Sequence, residues 1–518
     1  MSGADHTSDQ PRWSVLDVVE SLGAAVYGPV GDDAELAGMR IGEAGPAAGV
    51  AIDTRELRPG DLFVALQGTR SHGIEHAAEA FDRGAIAVLA GTDLEVPDDR
   101  WEELLGAAAD HGPVLVATDC DGVTALGRLA RAWRRRSSFR VVGITGSSGK
   151  TGTKDLLAAL LRRAGVEVVA SHANWNNEIG VPLTLLAGGP GTDVVICEMG
   201  MRGSGQIAWL CDVADPDIGI VTTAGTAHLE LLGSREAIVA AKAEILAGTW
   251  KGGVGIFPGV QPELVDAAGD VPDRLLPFGV GEDEADGAAI LVTSLARTSA
   301  GIAGTIDLMG TELEFALPVH GLHQARNLAA AAGALVVLRG SAQLLAADAL
   351  QLVGDDRVRL TGGRGDRVAL ADGGVVIDDS YNANPESVRA ALEELAAVDG
   401  ARRVAVLGRM AELGPDSPAL HAEVGGHAAA LTTIDELVVV GSGNEARALA
   451  TAWQGGRGSA PRTYADVDVA VAAVGEWRRP GDVVLVKASN SSGLGRLADA
   501  LVEGRRVEPG DAGGGAGS

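Results

Sequence analysis

Lysine is almost missing from this chain. Of its 518 residues only Lys150, Lys154, Lys242, Lys251 and Lys487 are lysine, against 37 arginines. Cysteine is scarce as well. Cys120, Cys197 and Cys211 are scattered and none sits in a C-x-x-C pair, which excludes a disulfide framework. Basic charge is outweighed, 42 residues to 70 acidic ones, for a formal charge of −28. A general nucleic-acid binder is excluded on that ground, because phosphate affinity is built from accumulated Lys and Arg. An anionic small molecule is not excluded, since one pocket can differ in sign from the whole surface. No apolar run approaches the ~20 residues of a membrane span. The opening, Met1 to Ser14, is polar and acidic, unlike the basic-then-apolar pattern of a secretion signal. The expectation is a reduced, cytoplasmic α/β protein, with length for roughly three domains at ~150 residues each.

A coding bias toward arginine accounts for the ratio of the two cations. A lysine that survives such a bias is nonetheless a candidate for chemistry closed to guanidinium, because its amine can lose a proton and react.

What is present is organised in three blocks. From Trp13 to about Asp119, short apolar runs (Asp61–Leu66, Ala85–Leu89) alternate with helical stretches near Glu75–Arg83. Gly122–Arg136 then reads as a helix ending in a basic cluster. The second block has candidate strands at Arg140–Thr145, Thr192–Cys197, Asp217–Thr222 and Gly252–Phe257, with a helix at Ser234–Ala247. Strand-like alternation over Ala289–Leu317 precedes an Ala-rich helix, Gln324–Leu338. Such alternation predicts a mostly parallel sheet covered on both faces. The third block begins near Asp355, with strands at Val375–Asp379, Val404–Leu407, Glu436–Val440 and Asp482–Lys487 and helices at Glu386–Ala397 and Asp466–Trp477. The domains expected are 1–119, 120–354 and 355–507, followed by a Gly-rich disordered tail over 508–518.

The strongest local signal is Gly143-Ile144-Thr145-Gly146-Ser147-Ser148-Gly149-Lys150-Thr151, after an apolar strand and opening a helix. Its glycines let backbone N–H groups converge on phosphate oxygens, and the helix N-terminus adds partial positive charge. Lys150 is placed to reach the β/γ-phosphates, and the Thr151 hydroxyl to meet Mg²⁺. Ile144 stands where the strict pattern has Gly, so the loop is a shortened variant. Downstream, Glu198 follows one candidate strand and His228 another. Both fall at the C-terminal sheet edge, where open α/β sheets bind ligands. Oxygen-rich ligation suits Mg²⁺; histidine is a less usual ligand.

Seven stretches, that loop among them, carry a resemblance. They are Asp53-Thr54-Arg55 with Pro59–Leu66; Thr145–Thr151; Asn176–Thr184; Glu198-Met199-Gly200; Ala227–Glu230; Ala241–Ile245; and Asp378–Pro385. Together they span nearly the whole chain, which resembles the Mur ligases of peptidoglycan synthesis. The runs Asn176–Pro182 and Asp378–Pro385 resemble the branch that adds D-alanyl-D-alanine to a UDP-N-acetylmuramoyl-tripeptide.

The resemblance implies three domains: one for the UDP end of the substrate, a central P-loop ATPase with a mostly parallel sheet, and a C-terminal Rossmann-like domain. It implies ATP and two Mg²⁺ ions as cofactors, no nucleic-acid or membrane partner, and a monomer. By the same resemblance Thr54, Arg55, Asn176 and Asn177 meet the UDP-substrate. Thr145, Gly146, Ser147, Ser148, Gly149, Lys150 and Thr151 hold the phosphates of ATP. Asn327 reaches adenine, and Asp379, Tyr381, Asn382 and Asn384 contact the nucleotide from the third domain. Thr151 and Glu198 face one metal and His228 the second. Lys242 is the family's carbamylated lysine, an amine turned into a metal-holding anion, so Lys150, Lys242 and His228 form the implied catalytic set. The runner-up readings are a sibling ligase adding the third residue and a nucleotide-binding paralogue with lost or altered ligation.

Four positions depart from the family's usual residues. Gln324 stands for Asn, Gly152 for a hydroxyl residue, Arg409 for an acid and Asn490 for Arg. The last two suggest a cation moved from one strand end to another, still engaging the acceptor or the acyl phosphate.

Overall fold

In the computed structural model the described residues are 13–29, 32–41, 49–69, 71–92, 98–173, 175–225, 229–355 and 361–503. His228 and the expected tail, 508–518, lie outside them.

Three sheets follow one another along the chain. The first contains β1 (Ala25–Tyr27), β2 (Val50–Ala51), β3 (Leu62–Ala65), β4 (Ala87–Gly91) and β5 (Val114–Ala117), in the order β1-β5-β4-β3-β2. Only β1 is antiparallel to its neighbour. The second contains β6 (Arg140–Thr145), β7 (Val168–Ala170), β8 (Val194–Glu198), β9 (Ile218–Val221), β10 (Val254–Pro258), β11 (Arg274–Val280), β12 (Ile290–Thr298), β13 (Gly301–Leu308) and β14 (Glu312–Leu317). Its order is β14-β13-β12-β11-β10-β9-β6-β8-β7, parallel from β7 to β12 and closed by an antiparallel β12–β13–β14 meander. The third contains β15 (Asp366–Ala369), β16 (Val375–Asp379), β17 (Arg402–Leu407), β18 (Glu436–Val440), β19 (Arg462–Tyr464) and β20 (Asp482–Lys487). Its order is β15-β16-β20-β17-β18-β19, with only β15 antiparallel.

Near-continuous apolar strands such as β6 and β8 need cover on both faces, and the second sheet has it. On one face the helix Lys150–Arg163, with Leu156, Leu157, Leu160 and Leu161 buried, packs beside Gln324–Arg339. The run Ala329–Ala332 is fully buried there; side chains that small let the two helices approach closely. The other face carries the helices Gly180–Ala187, Gln206–Ala214 and Arg235–Gly248.

The helix Gly122–Arg136 belongs to two cores at once. Its Leu126 and Leu129 share a cluster with Leu62 and Leu89 of the first sheet and with Val141 and Val195 of the second. The basic cluster at its end is structural: Arg134 pairs with Asp217 at 3.0 Å and Arg136 with Asp17 at 2.8 Å. Two other expectations are corrected. Asp466–Trp477 is two short helices, Val467–Ala472 and Val474–Trp477, separated at Ala473. Glu198 does not follow its strand but is the last residue of β8.

Contacts between the second and third sheets are polar. Lys154, buried on the helix Lys150–Arg163, bonds Ser171 O at 3.0 Å and pairs with Asp155, and Asp155 accepts the Thr361 N–H at 2.7 Å. Glu394 of the third block, buried, takes Arg297 from β12 at 3.1 Å as well as its own Arg367. These bonds set the wall that the third sheet contributes to the site.

Candidate active site

The phosphate loop leaves β6 at Thr145 and enters the helix at Lys150. Gly146, at φ +154°, passes so close to β9 that a Cβ there would lie 1.9 Å from Thr222 Oγ1; Gly149, at φ +82°, is left-handed. No other residue type fits both places. The segment that follows β9 latches it: Ser147 N–H donates to Thr223 O at 2.8 Å, and Gly225 N–H to Ser147 Oγ at 2.9 Å. Lys150 curls back over the loop, its Nζ 2.5 Å from Gly146 O. Burial holds its ammonium below the ordinary lysine range. Thr145 lies beneath the loop, fully buried.

Next to the loop the Thr151 hydroxyl donates to Glu198 Oε2 at 2.7 Å, and Asn176 Nδ2 donates to Glu198 Oε1 at 3.0 Å. Glu198 is buried at the end of β8. A hydroxyl and a carboxylate oxygen side by side suit Mg²⁺, which takes one or two protein carboxylates and fills its octahedron with phosphate oxygens and water. Lys242, fully buried on the helix Arg235–Gly248, has an Nζ with no hydrogen-bond partner among the described residues. Burial, and then the nearby Lys150 ammonium, pull its pKa well below the ordinary value. Both causes favour the neutral amine over the ammonium, and the neutral form is the one that can add CO₂.

A cleft of about 850 Å³ opens over Lys150, Thr151, Asn176 and Glu198, and its far wall comes from the third sheet. Asp379, ending β16, receives Lys487 Nζ at 2.6 Å; the same ammonium donates to Asn382 O at 2.9 Å. The Arg364 guanidinium lies 4.2 Å from the Tyr381 ring centroid, a cation–π contact, and its Nε has no partner among the described residues. Asn384 also faces the cleft, but its side-chain oxygen caps the helix Pro385–Ala397 through Ser387 N–H at 2.8 Å, so this position is structural as well as lining.

The four residues expected at the UDP end are divided between two places. Asn176 and Asn177 line the cleft, Asn177 Oδ1 accepting the Ile179 and Gly180 N–H just ahead of the helix Gly180–Ala187. Thr54 and Arg55 lie on the first sheet, just after β2. Arg55 is exposed and clasps Asp53 at 2.6 Å, which pulls the Asp53 carboxyl down to about 2. Asn327 is buried against the loop, where Cβ atoms at Gly149 and Gly152 would meet its amide at 2.5 and 2.6 Å.

Three stretches of the chain match family models: the Mur ligase family catalytic domain over residues 46–133, the Mur ligase middle domain over 144–335, and the Mur ligase glutamate ligase domain over 363–490. The chain belongs to the Mur ligase family. Among its relatives is the UDP-N-acetylmuramoyl-tripeptide–D-alanyl-D-alanine ligase of Mycobacterium tuberculosis, 37% identical over 94% of this chain and 97% of that one. The Synechocystis protein of the same name is 38% identical over 88% of this chain and 91% of its own. Among solved structures, MurF from Acinetobacter baumannii superposes with a TM-score of 0.76 at 25% identity, covering 95% and 99% of the two chains. MurF from Thermotoga maritima in complex with ADP gives 0.70 at 27% identity, covering 88% and 97%.

In this Mur ligase two of the four departures meet. A Cβ at Gly152 would lie 2.6 Å from Asn327 Nδ2 and 3.2 Å from Gln324 Oε1, and Gln324 Oε1 accepts the Asn327 amide at 2.6 Å. The longer Gln324 uses room that a hydroxyl side chain at 152 would fill. The other two departures touch through the backbone, Ser489 N–H donating to Arg409 O at 2.9 Å, one residue before Asn490. The Arg409 guanidinium lies 3.8 Å from Glu445 and is not among the groups lining the cleft, which sets it apart from the acyl-phosphate position.

Sequence reasoning missed Arg364, Glu386 and Glu412 as cleft residues and Lys487 as the clamp on Asp379. Lys487 carried a signal, being one of five lysines and ending a predicted strand. Arg364 carried none, because it reaches the cleft only through the packing of the third sheet on the second.

Proposed function

We propose that this Mur ligase uses ATP to join D-alanyl-D-alanine to the C-terminal carboxylate of a UDP-N-acetylmuramoyl-tripeptide. The observation that carries the reading is the buried Thr151–Glu198 pair beside Lys150, on a cleft whose opposite wall is a second α/β unit. Its sequence support is the extent of likeness to proteins of that name. Two substrates can meet between the walls while the phosphates rest on the loop.

The reaction follows from leaving groups. A carboxylate is a poor acylating agent because oxide does not leave. One oxygen of the tripeptide carboxylate attacks the γ-phosphorus of ATP, ADP departs, and an acyl phosphate remains. The neutral amine of the dipeptide attacks the acyl carbon, loses its proton and expels inorganic phosphate. Lys150 and Arg364 place positive charge beside the transferred phosphoryl, and loop N–H groups orient it. Thr151, Glu198 and His228 would hold Mg²⁺, which when bound would neutralise phosphate charge. Lys242, whose burial favours the uncharged form, would take up CO₂ in that form and release a proton to become a carbamate, an anion near the Lys150 charge. Asp379, Tyr381, Asn382 and Asn327 bound the nucleotide, while Thr54 and Arg55 of the first sheet receive the uridine diphosphate.

The cleft is completed by this chain's own sheets, so the reading needs no second copy. No helix among the described residues is long and apolar enough to cross a membrane. Nucleotide substrates of this kind place the enzyme in the cytoplasm. The test is mass spectrometry of the product formed from UDP-tripeptide, ATP and D-Ala-D-Ala, beside a screen of single amino acids on the UDP-dipeptide. A mass increase of one dipeptide residue pair supports the reading. Turnover only with a single amino acid on the shorter nucleotide identifies a sibling ligase instead, and no phosphate release with either identifies a non-ligating paralogue.

A further inference from the structure

Most charges that line the cleft are already engaged. Of its four arginines, Arg235 pairs with Glu263 at 2.7 Å, Arg326 pairs with Glu284, and Arg364 lies over the Tyr381 ring. The fourth, Arg202, is exposed, and its guanidinium has no hydrogen bond or ion pair among the described residues. The second sheet's loops give the cleft two carboxylates. Glu198 is bonded to Thr151 and Asn176, whereas Glu178, half-buried, has no partner among the described residues.

These two unengaged charges stand on neighbouring turns. Arg202 lies between β8 and the helix Gln206–Ala214, and Glu178 between β7 and the helix Gly180–Ala187. The turns are bonded to each other, Gly200 N–H donating to Asn176 O at 2.7 Å. A Cβ at Gly200 would lie 3.1 Å from the Asn176 side chain, so glycine lets them close. Each charge comes two residues after that bonded pair, at most roughly 7 Å of backbone. Both turns are pinned. Gln206 Oε1 accepts Arg202 N–H at 2.5 Å and Gly203 N–H at 3.1 Å, and Asn177 Oδ1 accepts Gly180 N–H at 3.0 Å.

Their place is on the way from the first sheet to the phosphate loop. The helix Gln206–Ala214 packs on Gly122–Arg136, where a Cβ at Gly127 would lie 2.8 Å from Trp209, and that helix joins the cores of the first two sheets. A peptide whose uridine diphosphate rests on the first sheet passes these turns before its terminal carboxylate reaches Lys150.

A free guanidinium beside a free carboxylate suits a group that carries both charges on one carbon, the zwitterionic end of an α-amino acid. The planar fork of arginine takes a carboxylate through two N–H bonds. A 2,6-diamino dicarboxylic acid ends its side chain in this way, four carbon–carbon bonds or roughly 5 Å from its peptide Cα. Lysine has an ammonium at the same distance and no carboxylate.

We propose that Arg202 and Glu178 read the third residue of the tripeptide, Arg202 taking the distal carboxylate and Glu178 the distal ammonium of 2,6-diaminopimelate. The proposal rests on the ligase reading above and names the tripeptide that reading left open. It makes Arg202 the residue that separates a diaminopimelate tripeptide from a lysine one, while Glu178 serves both.

The experiment is steady-state kinetics on the full-length enzyme with two UDP-tripeptides, one ending in 2,6-diaminopimelate and one in lysine, each with ATP and D-Ala-D-Ala. In the unaltered enzyme kcat/KM should favour the diaminopimelate tripeptide by roughly 10- to 100-fold, the scale of a charged hydrogen bond. Arg202→Gln should remove that preference by raising the KM for the diaminopimelate tripeptide alone, and Arg202→Lys should keep part of it. Glu178→Gln should raise the KM for both tripeptides alike. Equal use of the two tripeptides by the unaltered enzyme overturns the proposal without any variant. So does Arg202→Gln that keeps the full preference, or that weakens both tripeptides equally, since the arginine then holds a carboxylate common to both. A raised KM for ATP in that variant overturns it as well, by placing Arg202 on phosphate. If neither tripeptide is joined to D-Ala-D-Ala, the ligase reading fails first and takes this subsite with it.

Discussion

Two places in this molecule use one local design. In the second sheet β6 runs into Gly146-Ser147-Ser148-Gly149 and the helix Lys150–Arg163. In the third, β18 runs into Gly441-Ser442-Gly443 and the helix Asn444–Arg457. Both loops need glycine for positive φ, +154° at Gly146 and +138° at Gly441, and both deliver a helix N-terminus to the C-terminal edge of a parallel sheet. The surroundings differ. Around the first, a buried carboxylate, a hydroxyl and two lysines crowd together within a protein wall. Around the second, valines and alanine line a small cavity with a loose ion pair at its mouth. The lesson is that the strand–glycine–helix unit supplies orientation, whereas neighbouring strands decide which charges the site can handle.

The largest break in that comparison is at Lys150. Lys150→Ala should reduce substrate-dependent phosphate release by about 10³-fold or more, an oxyanion-type loss, with the thermal unfolding midpoint little changed. Ligation near the unaltered rate would remove Gly143–Thr151 as the ATP site.

Lys242 sharpens it next, because stability and activity should move in opposite directions. Lys242→Met keeps the shape and removes a buried donor without a partner. In bicarbonate-free buffer it should therefore stabilise the fold by about 1–3 kcal/mol while ligation collapses. Short carboxylates should partly restore Lys242→Ala, and Lys242→Arg should remain inactive; an active Arg variant would rule out a carbamate. There is also a pH signature. Between the lowered folded value and the ordinary lysine value of about 10.4 the unfolded chain binds more protons than the folded one, so stability rises with pH across that window. The slope, read from denaturant melts at several pH values, should be smaller in Lys242→Met.

The pair Gly152 and Gln324 tests how tightly the phosphate loop is packed. Gly152→Ser alone should weaken ATP binding, because the new Cβ meets Asn327 at 2.6 Å and Gln324 at 3.2 Å. Adding Gln324→Asn should recover much of the loss, a coupling of about 0.5–3 kcal/mol in a double-mutant cycle on the KM for ATP. Additive effects would show that the two departures are unrelated.

The smallest effect is expected at the second loop. Glu445→Gln keeps the side-chain shape and weakens the hold on Arg409, so the unfolding free energy read from denaturant melts should fall by only ~0.2–1 kcal/mol, the scale of an exposed ion pair. A larger loss would mean that the carboxylate also holds the start of the helix Asn444–Arg457.

Legibility followed sequence distance. The strands Arg140–Thr145, Val375–Asp379, Glu436–Val440 and Asp482–Lys487 were read to the residue, because each is an apolar run bounded by turn chemistry. The phosphate loop was legible for the same reason, all its parts lying within nine residues. Ends were less so: Glu198 extends β8 because its backbone still pairs with Ile144 of β6, a partner more than fifty residues away. The break at Ala473 was hidden, since the sequence there is as helical as its flanks.

The sequence by itself determined where most strands and helices lie, which loop has the form of a phosphate cradle and which of five lysines deserve notice, because periodicity, glycine and cation identity are local properties. Only the tertiary structure decided that Glu198 touches Thr151, that Lys242 is sealed without a partner, that Gly152 makes room for Gln324, and that Arg409 faces Glu445 rather than the cleft. Those are facts of packing: they depend on which side chains meet after distant segments close on one another, and burial then sets which charges survive.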